Sequence, residues 1–120
     1  MINLEYIQLK GEKYPIAFNI NTIDVLQERH NCSFAEFMRI LETDRIKQMR
    51  LFRSLLEIMI NEGIQIENET YGTNKKLLTQ RQVGSLVDLG GLHELFTQVE
   101  TYIFSTLPTK NEETPSKWWR

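Results

Sequence analysis

Three groups of residues in this chain have types and spacings that could do chemistry. His30 and Cys32 stand two positions apart, the opening of a zinc site or of a thiol–imidazole nucleophile pair. Neither arrangement is completed. A structural zinc site needs a second ligand pair, and His93 lies far along the chain with no His, Cys or carboxylate at ligand spacing. A Cys–His nucleophile needs a third group to orient its base, and nothing in the sequence supplies one. The pair reads as a helix-end histidine beside a buried cysteine. Glu57 with Glu62, and Glu67 with Glu69, offer carboxylates for acid–base work. Glu57 follows Arg53 by four residues, so a helix-surface ion pair accounts for it, while Glu67 and Glu69 sit in a polar stretch. Gly90-Gly91 lacks the surroundings of a phosphate loop and reads as a helix stop. We therefore expect no enzyme, no metal and no cofactor.

The third group is cationic: Arg45, Lys47, Arg50 and Arg53. Lys47, Arg50 and Arg53 share one helical face and could touch phosphates as a short stripe. Against that, Glu57 falls on the same face, and 14 Lys and Arg stand against 16 Asp and Glu, a formal charge of −2. No helix–turn–recognition-helix pair rich in Arg, Asn and Gln accompanies the stripe. A solvated face is the expectation, and nucleic acid is not an expected partner. The charge is uneven: residues 1–44 carry four basic and seven acidic side chains, whereas 45–62 carry four basic and two acidic.

The elements that would position these groups can be read from apolar spacing. Ile2, Leu4, Tyr6 and Leu9 nearly alternate with polar residues, Lys10-Gly11-Glu12-Lys13 supplies a turn, and Tyr14–Phe18 returns, giving a hairpin over 2–18. Pro15 cannot donate to a ladder, so the return strand belongs at an edge or carries Pro15 outward. Helices are expected over 21–106. Asn21 opens the first and Asn31 stops it; Ser33 with Glu36 has capping-box spacing ahead of the stripe Phe34, Phe37, Met38 and Leu41. The central segment Arg45–Glu62 carries its polar residues on one narrow face, while apolar residues fill an arc of roughly 200°, twice the width on an ordinary surface helix. Such a helix must be covered on two or three sides. Thr43 or Asp44 can cap it, and Gly63 suits its end. Residues 64–78 read as a long connection in which Ile64 and Ile66 can add a short strand. Thr79 with Gln82 makes a second capping box, with Val83, Leu86 and Val87 inward, and Leu92–Leu107 forms a final amphipathic helix before Pro108.

The expected fold is thus mostly α with a small N-terminal β-hairpin, an α+β arrangement of about five helices around the central apolar helix 45–62. Residues 1–107 form one domain, and 108–120 a flexible C-terminal tail. A single Cys32 excludes an internal disulfide, the start MINLEYIQLKGEKY has no signal-peptide pattern, and no stretch approaches the ~18 apolar residues of a membrane span. Two features stand apart from a bland surface: Phe104 on the polar side of the last helix, and Trp118-Trp119 in the polar tail, a residue type that anchors interfaces.

Taken in order, three stretches resemble the small tail assembly chaperones of long-tailed phages and prophages, including the version in gene transfer agents. They are GEKYPIAFNINTIDVLQERHNCSFAEFMRIL, a hairpin running into helices; LFRSLLEIMINEG, a Leu-rich helix followed by Gly; and LLTQRQVGSLVDLGGLHELFTQVETYIFSTLP, a Thr-started short helix before a longer amphipathic one. Together they cover about residues 8–108. The resemblance implies a non-enzymatic protein of the bacterial host cytoplasm that keeps the apolar, helical tape measure protein soluble. It also implies recruitment of tail tube subunits and action as several copies, a homo-oligomer along the tape. Met38, Met49 and Met59 supply adaptable side chains of the kind found at promiscuous grooves, with core filling the reading for Met49. A partner groove is expected between the central helix and Leu92–Leu107, with Met59, Tyr102 and Phe104 at it and Trp118 and Trp119 closing over it. The competing reading is a small helical regulatory or nucleic-acid-binding protein that uses the Lys47, Arg50 and Arg53 face.

Overall fold

A two-residue turn opens the structure. In the computed structural model, which describes residues 4–107, strands β1 (Glu5–Leu9) and β2 (Glu12–Ile16) pair antiparallel with Leu9 opposite Glu12 and Glu5 opposite Ile16. Lys10 and Gly11 both take positive φ, 51° and 82°, as the tight hairpin turn that follows strand twist requires. Ile7, Leu9 and Ile16 face the core. Pro15 pairs with Tyr6 in a sheet of two strands, where β2 has a free edge, yet it is buried rather than outward.

Five helices follow: α1 (Ile20–His30), α2 (Phe34–Thr43), α3 (Gln48–Tyr71), α4 (Gln80–Leu86) and α5 (Leu92–Thr106), with a 3-10 turn at Leu89–Gly91. The fold is the expected α+β arrangement, with different helix ends. Asn19, not Asn21, caps α1: its side chain accepts from the amides of Asn21 and Thr22, and Thr22 Oγ1 accepts from the Asn19 amide in return. Asn31 ends α1 in the left-handed region, as expected. Ser33 caps α2, but Glu36 turns outward to Arg39, so only half the capping box forms. Phe34, Phe37, Met38 and Leu41 are buried as one stripe. Asp44 accepts from the amides of Ile46 and Lys47 and so caps a turn ahead of α3 rather than the helix itself. The capping box of Thr79 and Gln82 forms completely.

The principal correction concerns α3. Gly63 does not end it; the helix runs eight residues further and stops at Gly72, which takes φ 69°. Ile64 and Ile66 therefore add no strand, and the connection shortens to 72–79. Gly63 is small for a tertiary reason, since a Cβ there would lie 2.6 Å from both the carbonyl carbon and oxygen of Pro15. The hairpin backbone lies directly on α3, and the Ala17 amide donates to the Met59 carbonyl at 3.1 Å.

The supposed solvated face of α3 is also covered. Glu57 pairs with Arg29 of α1, not with Arg53; Arg29 also donates to Ser54, and His30 Nε2 lies 2.8 Å from Ser54 Oγ. Asn61 holds the backbone of Leu78 by two bonds, donating to its carbonyl and accepting from its amide, each at 2.8 Å. Two turns on, Asn68 does the same for Lys75 at 3.0 Å. Glu67 accepts from Lys75 Nζ and Tyr6 Oη; the Lys75 bond foremost, then the Tyr6 bond, lowers its carboxyl pKa, and the bond to Glu67 raises the Tyr6 phenol to about 12. Two side-chain amides thus fasten the 72–79 segment along α3, and no buried side-chain nitrogen or oxygen among the described residues lacks a partner.

Alanine in a helix interior ordinarily stabilises by about 0.5–1 kcal/mol over glycine. At Gly63 the backbone of Pro15 cannot give way, so Gly63→Ala is expected to lower stability by about 1–3 kcal/mol, the scale of an overpacked core. Urea denaturation of the two proteins checks the sign.

Candidate docking groove

One side of the first turns of α3 escapes the cover that the hairpin, α1 and the 72–79 segment give the middle of the helix. Ile46 just ahead of it is 93% exposed and Met49 51% exposed. Facing them, Leu89 projects from the 3-10 turn and is 76% exposed. Between these walls runs an open groove of about 540 Å³. Ile46, Met49, Phe52 and Leu56 form its α3 side, and Val87, Leu89 and Leu92 the other. Gly84 brings α4 close: a Cβ there would stand 3.1 Å from Arg53 Cδ. Arg50 and Arg53 line the same groove. Among the described residues, none of Arg45, Lys47, Arg50 and Arg53 makes an ion pair.

This groove is not where the sequence put it. Between α3 and α5 the space is closed by Phe52 stacked on Phe96, with ring centroids 4.9 Å apart, and by Leu55, Val99 and Ile103. The remaining gap is about 10 Å³, at most the room of one water molecule. Met59 is fully buried in the core, and among the described residues the exposed methionine is Met49, the reverse of the expectation. Tyr102 is half-buried; its Oη accepts from the Phe18 amide at 3.3 Å, and burial pushes its phenol up. It fastens α5 to the hairpin exit instead of lining a groove. Phe104 is half-buried on α5, and Trp118 and Trp119 lie outside the described residues. Ile46 was the signal available in the sequence: on a helical wheel it falls within the polar arc, between Arg53 and Glu57, where an apolar side chain has no core to enter.

The chemically suggestive residues do not assemble a reaction centre. His30 and Ser54 are in contact, but Ser54 is 1% exposed and already engaged by Arg29, so no substrate reaches its hydroxyl. Burial lowers the His30 pKa. Burial and the nearby Glu36 raise the Cys32 thiol, which keeps it protonated and a poor nucleophile. Among the described residues no group of three or more His, Cys, Asp or Glu side chains is placed to hold a metal ion, and no helix is long and apolar enough to cross a membrane. Comparison with protein-family models, with curated proteins and with solved structures finds no match to this chain.

One electrostatic contact links α2 to α5. Burial, then a hydrogen bond with Glu100 and the charge of Glu100, raise the pKa of the Glu42 carboxyl above its ordinary 4.5. The folded protein therefore holds this proton more tightly than the unfolded chain. Stability from the pair is full below pH 4.5 and is lost as pH rises through the raised value. Glu42→Gln, which keeps a donor to Glu100, is expected to raise stability at pH 7 by about 0.5 kcal/mol, the scale of an exposed charge pair. It should also remove this part of the pH dependence in thermal melts between pH 4 and 7.

Proposed function

We propose that this protein is a non-enzymatic docking chaperone that holds an apolar helical segment of another protein, and that it serves phage-like tail assembly, with the tape measure protein as client and the tail tube protein as recruited subunit. The observation that carries the docking part is the groove, whose apolar walls are open while the middle of α3, residues 54–64, is covered. The resemblance of the three sequence stretches to tail assembly chaperones supplies the assembly context, and with it a site of action in the host cytoplasm.

Magnitudes favour a transient hold. Covering what is exposed of Ile46, Met49 and Leu89 would contribute about 5 kcal/mol at ordinary transfer values. That is comparable with the lower end of the cost of association, roughly 4 kcal/mol and upward. A single groove therefore binds weakly, and several copies along one client supply avidity without slowing individual release. An exposed pair of arginines also keeps the nucleic-acid reading in play. Salt-steep affinity for duplex DNA would select it, whereas a helix held by apolar contact depends little on salt.

The test is a pull-down with full-length protein from a host that expresses the surrounding gene cluster. Recovery of a long helical protein or a tube subunit is the expected result; recovery of DNA, or of this protein alone, overturns the reading. Met49→Asp combined with Leu89→Asp is expected to abolish client recovery while moving stability by no more than about 0.5 kcal/mol, since both positions are exposed.

A further inference from the structure

We infer that the groove is built for an acidic amphipathic helix, one whose apolar stripe lies on Ile46, Met49 and Leu89 and whose flanking Asp or Glu side chains meet Arg50 and Arg53. This rests on the docking reading above and adds the charge class of the partner. The span suits a short helix: residues 46–56 cover about 15 Å at the ~1.5 Å rise of a helix, so two to three turns of a partner can lie alongside.

Charge then selects among occupants. Arg50 and Arg53 border an apolar floor and make no ion pair within the described residues. Of the carboxylates closest to the groove in sequence, Glu57 is held by Arg29, while Asp88 and Asp44 accept only from backbone amides and keep their charge. None of the three is paired with Arg50 or Arg53. Guanidinium groups beside an apolar strip favour carboxylates, which they can engage through two parallel bonds. A second copy docked groove to groove would set its own Arg50 and Arg53 against these, a like-charge arrangement that opposes pairing. A nucleic-acid backbone would leave Ile46 and Leu89 against phosphates, with nothing to gain from either.

The test uses the full chain and two fluorescein-labelled peptides of about fourteen residues, near the shortest length that holds helix alone. Both carry Leu at helical spacing; one flanks the stripe with Glu, the other with Lys. Anisotropy titration is expected to give the Glu peptide roughly five-fold tighter binding, what two partly exposed charge pairs supply, with the preference shrinking as salt rises. Arg50→Glu with Arg53→Glu should reverse the preference. Arg50→Gln with Arg53→Gln, which keeps most of the stem that Arg53 lays against Gly84, should erase it at an unchanged thermal midpoint. Equal binding of the two peptides overturns the acidic class while leaving the docking reading standing. Failure of both peptides, alongside client recovery in the pull-down, places the client elsewhere and overturns the inference together with the groove as docking site, while the chaperone role stands. Displacement of the Glu peptide by a synthetic 108–120 peptide overturns it in favour of the chain's own segment, and displacement by duplex DNA in favour of nucleic acid.

Discussion

The contact between Gly63 and the Pro15–Ile16 peptide fixes where everything else lies. A two-stranded hairpin has too little of its own to stay folded in water, and here its backbone uses α3 as a floor. That floor works only because one helical position has no side chain and because the Met59 carbonyl also accepts from Ala17. Once the hairpin is seated, Ile7, Leu9 and Ile16 fall into the same core as Leu55, Leu56, Met59 and Ile60. The chain leaving β2 is then delivered to the Asn19 cap, and α1 comes down on the polar side of α3. Glu57 and Ser54 become buried by that arrival, and Arg29 and His30 are the groups that make the burial tolerable. Arg29 itself stays exposed, and what it spares the fold is the cost of leaving the buried Glu57 carboxylate without a partner.

The same physics explains what the sequence made legible. Capping boxes and apolar stripes are local, and Thr79 with Gln82, Asn31, and the Phe34–Leu41 stripe behave as their local chemistry demands. Gly63 misleads because glycine has two uses. Locally it reads as a helix stop, but here it admits a foreign backbone, and only the tertiary partner distinguishes the two. Asn68 misleads similarly. It reads as part of a polar connection, yet with Asn61, two helical turns before it, it serves as a side-chain clamp on the 72–79 segment. The groove was hidden for a related reason. An apolar arc of roughly 200° announces surplus surface without saying which part another element of the chain will cover. Met49 and Met59 are indistinguishable by type; one is exposed and the other buried because the hairpin lies over only the later turns of α3.

What remains uncovered differs in stiffness on its two sides. The near wall is α3, a helix of 24 residues fastened from Leu51 to Glu67 by core packing and by buried polar bonds. The far wall is α4, seven residues long, and the 3-10 turn after it. A helix that short has little stability of its own, since nucleation alone outweighs the few bonds it forms. Val83 is its one buried residue, and the capping box at Thr79 secures only its first turn. Cover of this kind opens locally at much lower cost than the core does. A rigid floor with a yielding wall can admit helices of different girth, whereas the closed seam of Phe52, Phe96, Val99 and Ile103 cannot. The arrangement that leaves Ile46, Met49 and Leu89 without cover is therefore also the one whose far wall can yield to the proposed partner without disturbing the hairpin on which the fold rests.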